Sequence, residues 1–502
     1  MAKTPSLPEA NSRHTTLGQT ATTGAIVIAL GFGVGQVIRL GGNIVAAALL
    51  FEEAFALVAI ALAVLQGLHM FSDIGISPSV VQHPRGDTAR FLNTAWTLQV
   101  IRGTLLALVA SALGWPLAML YASTDPMASS LIWLLPVAAI SSLLSGFNSP
   151  SMLTAARHIQ LLRITAIEII SQASGVAVML VLAWKTGSVL ALISASVIGS
   201  LVTLLLSYSL LPFTPPRFRI NAADFQEIFH YGKWIFVSTL LTFLSLQLEK
   251  FLLPAFFSLG AVGIYVIAAN FCTLAPAIIG RLQLSVAFPL YSRAGHEDAT
   301  LKSAISLTRT SLLPLAAVMT ATLIGIADTF IELAYDERFS TARYYIPLLA
   351  LAAWFTVLEG LYGAIFLASG HVRWIAIASI VRIVVFVGLF LLVAIRSDSF
   401  VLALVSIVFA ELARHATSAA LARRLQASRL LSDLLWTLFS VASGVAVHAF
   451  GTLLNNAARL PLIVVLALQL FLALMIFTLP LKKAYGAVTE LRRLSAPTNN
   501  AV

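Results

Sequence analysis

Charge and cysteine are both scarce in this chain of 502 residues: one residue in ten is Asp, Glu, Lys or Arg, and Cys272 is the lone thiol. A single cysteine excludes an intrachain disulfide framework and any paired CxxC motif. HExxH and a Walker lysine motif are missing too, and the nine histidines are scattered, so neither metal catalysis nor ATP hydrolysis is supported. No catalytic residue, metal, cofactor or nucleic-acid partner is therefore expected. So little charge also excludes a water-soluble globule, because 59% of residues are hydrophobic and the mean hydropathy is +0.93.

What is present is apolar sequence in membrane-crossing lengths. A helix needs about 20 mostly apolar residues to cross the hydrocarbon core, and such stretches recur from Thr22 to Leu481. They fall near 21–49, 54–81, 91–122, 129–153, 162–184, 188–212, 231–257, 261–291, 304–334, 343–369, 372–395, 399–421, 431–453 and 460–481. The fold class is thus an all-α polytopic membrane protein of about 14 transmembrane helices. The first twenty residues are polar, carry Lys3 and Arg13, and lead to no small-residue cleavage site, so the first span is expected to be an uncleaved anchor.

Basic residues near span ends favour the cytoplasm. With the N-terminus inside, 19 Lys and Arg residues fall in cytoplasmic segments and five outside: Lys185, Arg338, Arg343, Arg396 and Arg459. Both termini are accordingly expected in the cytoplasm, with the chain in a bacterial inner membrane. Outside loops are short, the longest near Tyr335 to Ala342. The largest polar segment is Pro212 to Lys233, where Phe225, Ile228 and Phe229 beside Asp224, Glu227 and Lys233 fit a short interfacial helix or an irregular linker. The chain divides into a tail (1–20), an N-lobe (21–215), a linker and C-lobe (216–425), an added helix pair (426–485) and a second tail (486–502).

Two stretches carry a family resemblance. Ser72 to Gly103, SDIGISPSVVQHPRGDTARFLNTAWTLQVIRG, and Gln247 to Ala268, with Glu249, Lys250, Gly263 and Tyr265, resemble the polysaccharide flippase and exporter family. These are the Wzx-like oligosaccharide flippases of the MOP (multidrug, oligosaccharidyl-lipid, polysaccharide) superfamily. The first half departs from the pattern, with Ala56 and Val58 where glycine and tyrosine often stand. The resemblance implies two six-helix lobes around a central cavity plus two extra C-terminal helices. It also implies a non-enzymatic flippase that carries undecaprenyl-pyrophosphate-linked oligosaccharide across the membrane by alternating access, for surface or exopolysaccharide synthesis. Its partners would be the bilayer, the lipid-linked saccharide, a polysaccharide polymerase and chain-length or export proteins. A multidrug exporter of the same superfamily is the alternative, although an arginine-rich cavity repels cationic drugs; a membrane-embedded polysaccharide-assembly enzyme is a third reading.

An ionisable group at mid-bilayer must face protein, water or ligand. Arg39, Arg102, Lys250, Arg281, Arg309, Arg382 and Arg414 fall within spans, with Arg309 and Arg414 near enough to an end to snorkel. Gln36, Arg39 and Asn43, at i, i+3 and i+7, share one helix face. Gln247 and Lys250 share another with Thr239 and Thr242. Guanidinium groups suit a diphosphate, so the substrate-binding set is Arg39, Arg102, Lys250 and Arg281 with Gln36, Asn43 and Gln247. The competing reading pairs these cations internally with Asp73, Glu168, Glu249 or Glu359. Glu168, Glu249 and Glu359 are candidates for ion coupling; Glu411 is weaker, since Arg414 and His415 lie one turn away. Gly31 and Gly35 have the spacing of a helix-packing motif.

Overall fold

The structure, a computed structural model, describes residues 30–72, 76–158, 160–212, 215–222, 235–294, 298–458 and 460–495. Among these there are helices and connecting loops but no strand. Lipid offers the backbone no hydrogen-bond partner, and an α-helix satisfies every peptide group within its own segment.

Among the described residues twelve helices are long and apolar enough, by length and composition, to cross a membrane, and the pair Leu462–Ile476 and Thr478–Thr489, bent by 57°, would make thirteen. The helix Ile235–Phe256 adds 22 residues whose sole charges are Glu249 and Lys250. At 1.5 Å per residue it covers about 33 Å, enough for a hydrocarbon core of about 30 Å. The expected all-α polytopic fold is borne out, and the number of spans reaches 14 when this helix is included.

The chain forms two compact units, Met1–Leu240 and Leu241–Val502. Unit 1 contains α1 (Leu30–Leu49), α2 (Glu52–Phe71), α3 (Ile76–Gln82), α4 (Ala89–Tyr121), α5 (Leu131–Gly146), α6 (Ser151–Arg157), α7 (Leu161–Thr186) and α8 (Leu190–Ser209). Here α4 packs along α5, α7 along α8, and α5 against both α2 and α8. Small residues set the first of these contacts. A Cβ added at Gly103 would stand 2.8 Å from Gly146 Cα and from the Ser142 carbonyl oxygen, so only glycine lets the two backbones approach.

Two expected spans are interrupted. The stretch 54–81 divides into α2 and α3, and 129–153 ends its main helix at Gly146. Pro150 disfavours helical backbone at Ser149, which stops α5 before α6 begins. The short helices α3 and α6 pack together, and Arg157 staples them. Its Nη1 donates to the Val80 and His83 carbonyls at 3.0 and 2.6 Å, and its Nε pairs with Asp87 at 3.0 Å.

The unit boundary falls after residue 240 and not at 215. Residues 217–221 run extended along α4, with the backbone N–H groups of Arg217, Arg219 and Asn221 donating to the side chains of Asn93 (2.9 Å), Thr97 (3.1 Å) and Thr94 (3.2 Å). Alternate residues face the helix, as an extended chain requires, and Phe218 lies against Trp96 with ring centroids 4.7 Å apart. The interfacial helix expected around Phe225, Ile228 and Phe229 lies outside the described residues, as does Asp73.

Unit 2 contains α9 (Ile235–Phe256), α10 (Leu259–Cys272), α11 (Leu274–Leu282), a π-helical turn (Gln283–Ala287), α12 (Phe288–Ala294), α13 (Asp298–Ala334) and α14 (Ala342–Ala368). It continues with α15 (Val372–Arg396), α16 (Phe400–Ala422), α17 (Leu430–Ala458), α18 (Leu462–Ile476) and α19 (Thr478–Ser495). The core helix is α14, packed against α10, α13 and α16. The C-terminal helices, expected as an added pair, belong to this core, because α17, α18 and α19 all pack on α13. The tail expected from residue 486 is helical to Ser495. Charges at Lys482, Lys483, Glu490, Arg492 and Arg493 interrupt its hydropathy but not its helix.

Candidate functional site

The orientation of α1 follows from its glycines. A Cβ at Gly31, Gly35 or Gly42 would collide with Thr165, Gln172 or Val176 of α7, whereas Gly33 faces open space. Gln172 Nε2 donates to the Gly35 carbonyl at 2.9 Å and fixes the register. At 100° per residue, Gln36, Arg39 and Asn43 lie roughly a quarter turn from this contact, and all three are partly exposed. Arg39 is about 14 Å of helical rise from Leu30 and about 15 Å from Leu49, at the middle of the span. Its Nε is buried without a hydrogen-bond partner, and no carboxylate pairs with it among the described residues.

Arg102 does something different. Its Nε donates to Ser72 Oγ at 2.8 Å and its Nη2 to the His69 carbonyl at 2.7 Å, closing the C-terminal end of α2. The end of α2 carries unsatisfied carbonyls and partial negative charge, which a cation complements. Arg281 is exposed at the end of α11, just before the π-helical turn, and Glu168 is exposed on α7. Gln247 is buried in α9, with Glu249 and Lys250 partly buried beside it.

Unit 2 holds a buried ionic network. Arg382 of α15 stands between Glu411 of α16, which accepts from its Nε, and Glu249 of α9, 3.4 Å from its Nη2. Arg414 continues the chain, 3.7 Å from Glu411 and 3.0 Å from Glu359 of α14. Five alternating charges thus join four helices, three carboxylates against two guanidiniums. A buried group left without its partner is costly, so such a network holds the helices in one arrangement until its pairs are exchanged together.

A second cluster lies nearby in sequence. Asp433 of α17 pairs with Arg309 of α13, accepts a hydrogen bond from Tyr362 Oη at 2.7 Å, and lies 3.5 Å from His415 Nε2. The Arg309 guanidinium carbon is 5.5 Å from the centre of the Tyr362 ring, within cation–π range.

The structure therefore connects Glu249 to Glu359, through Arg382, Glu411 and Arg414. The partners of these two acids are arginines outside the expected binding set. Glu411 does meet Arg414 one turn away, but its nearer partner is Arg382, 29 residues distant. Sequence reasoning did not assign a role to Arg382. The available signal was its position as the sole charge inside α15, between Arg373 and Arg396.

Among known proteins, the chain is 22% identical over 306 residues to the teichuronic acid biosynthesis protein TuaB of Bacillus subtilis (strain 168), covering 60% of this chain and 61% of TuaB. The aligned region thus spans about three fifths of that relative's length. Its fold is similar to that of the lipid II flippase MurJ in an inward closed conformation, with a TM-score of 0.68 and 11% identity over 92% of this chain and 100% of that one. It is also similar to an inward-facing multidrug resistance MATE family transporter of the MOP superfamily, at a TM-score of 0.59 and 15% identity, covering 80% and 99% of the two chains. The family model for polysaccharide biosynthesis proteins matches residues 45–343, more than half of the sequence and continuous from the end of α1 into α14, and on that match the chain belongs to this family.

Proposed function

We propose that this protein is a flippase that translocates lipid-linked oligosaccharide repeat units, carried on undecaprenyl pyrophosphate, across the bacterial inner membrane by alternating access. It converts nothing chemically in this reading. Three similarities support it: membership of a polysaccharide biosynthesis family, a relative named for teichuronic acid biosynthesis, and the fold of a lipid II flippase.

The observation that carries the reading is Arg39. A guanidinium at mid-span, partly accessible and with no carboxylate beside it among the described residues, needs an anion, and a diphosphate offers paired acceptor oxygens. Gln36 and Asn43 on the same stripe supply amide donors and acceptors for the headgroup. Lys250 and Arg281 are proposed as further cations for the substrate and Gln247 as a further amide, with Arg102 a weaker candidate because its Nε and Nη2 already hold the end of α2. A guanidinium at this depth repels an organic cation, which disfavours the exporter reading.

Glu249 and Glu359 are proposed to act through the ionic network as a switch between transport states, with Glu168 as a separate candidate for ion coupling. Cytoplasmic termini and a neighbouring polymerase and chain-length or export apparatus belong to the same reading.

The test reconstitutes the full chain in proteoliposomes with a fluorescent lipid-linked saccharide and follows both leaflet and chemical state. Movement without chemical change is expected. Arg39→Gln should slow it at least tenfold, and Arg39→Lys, which keeps charge but loses the fork, should fall between. Wild-type rates in both variants would remove Arg39 from the pathway.

A further inference from the structure

A cavity of about 730 Å3 opens between α13, α17 and the bend joining α18 to α19. One part of its wall is cationic and hydroxylated, with Arg309, Arg429 and Lys483 beside Ser306, Thr310 and Ser432, and no acidic residue lines it. Arg309 is 5% exposed; it pairs with Asp433 and lies against Tyr362, and among the described residues no acceptor stands within hydrogen-bond distance of its Nε and Nη1. Buried donors of a charged group demand an acceptor.

The rest of the wall is apolar, with Leu313, Trp436, Phe439 and Leu479. The two parts are graded along the helices. Ser306 lies near the start of α13, Arg429 directly precedes α17, and Lys483 follows the end of α18. Leu313 and Phe439 lie about 10 and 15 Å further along their helices. That grading matches a phospholipid, from phosphate to acyl chain. On other faces of α17, Leu434, Leu435 and Leu438 are 54–59% exposed, as a helix that meets lipid requires.

We propose that this cavity binds the phosphate headgroup of an anionic membrane phospholipid, with its acyl chain seated against Trp436 and Phe439. The charge supplies selectivity and the aromatic floor supplies depth, since tryptophan favours the membrane interface. The site is distinct from Arg39 and does not depend on the identity of the transported cargo.

Purified, delipidated full-length protein in detergent, titrated with phosphatidylglycerol or phosphatidylcholine and read by native mass spectrometry, tests this. One phosphatidylglycerol should be retained and phosphatidylcholine should not. Arg429 and Lys483 are both exposed, so the double variant Arg429→Gln, Lys483→Gln should keep its unfolding temperature while losing about thirty-fold in phosphatidylglycerol affinity. Trp436→Phe gives an independent readout, because quenching of tryptophan fluorescence by acyl-brominated phosphatidylglycerol should fall in that variant. Equal retention of both lipids, undiminished affinity in the double variant, or unchanged quenching would overturn the proposal. Competition by glycerol 1-phosphate as effective as by the lipid would assign the cavity to soluble phosphates, and stronger competition by undecaprenyl phosphate would assign it to the carrier; either result also overturns it.

Discussion

Arg382 is 3% exposed and faces carboxylates from two other helices. Removing one partner of a buried pair strands the other, which costs about 3–5 kcal/mol, whereas replacing both with apolar groups of similar size is often neutral. Glu411→Gln should therefore lower the thermal unfolding temperature of the detergent-solubilised protein clearly, and the triple variant Glu249→Leu, Arg382→Met, Glu411→Leu, which leaves the Arg414–Glu359 pair intact, should recover most of the loss. If Glu411→Gln unfolds like the parent, the network does not hold the unit together. At this scale the ionisable residues within spans were legible, because hydropathy makes a charge in an apolar run conspicuous. Their partners were not. Glu249 and Arg382 are 133 residues apart, and only packing brings them together, while Arg414 and Glu411 were legible as neighbours because they share one helix at i, i+3.

The glycines of α1 separate two kinds of position on one helix. Gly31→Val would drive a side chain into the β-branched Thr165, whose Cγ2 already occupies the space a Cβ at that position needs, and overpacking of this sort typically costs about 1–3 kcal/mol. Gly33→Val faces open space and should be nearly neutral. Thermal unfolding of the two variants compares them directly, and equal losses would contradict the assigned α1–α7 contact. The π-helical turn Gln283–Ala287 makes a sharper demand. It absorbs one extra residue within the helical repeat, because five residues in the wider turn sweep close to the angle of four in an α-helix, so deleting Ser285 should restore a regular α-helix and leave α12 close to its present orientation. Tyr291 should then keep its hydrogen bond to Thr308, at 2.5 Å, and an unfolding temperature close to the parent's is the expected result; a large loss would contradict the assignment of the turn. Long helices such as α4 and α14 were legible from hydropathy alone. The π-helical turn and the helical course of α19 were not, since a hydropathy window averages over a single inserted residue and discounts a helix rich in lysine and arginine.

Across the whole molecule, the uneven distribution of Lys and Arg makes a prediction about sidedness. Cys272 is buried, so a Cys272→Ala background accepts single reporter thiols. In whole cells an impermeant maleimide should label Ser188→Cys and Ser340→Cys but reach Gln426→Cys only after permeabilisation; the reverse pattern would invert the assigned orientation. The pattern of spans was readable because lipid imposes length and apolarity on every crossing helix. The extent of unit 1 was not, because residues 217–221 join it as an extended backbone docked on Asn93, Thr94 and Thr97 and not as an apolar run. The odd number of groups joining α9, α14, α15 and α16 matters on this scale too. With all five ionised, they sum to one negative charge. Voltage does work on such a charge, about 2.3 kcal/mol per 100 mV for a full crossing. Any rearrangement that shifts the group in depth is therefore an electrical event, hastened or resisted by the resting potential of the cell, and a capacitive current across a planar bilayer would time it.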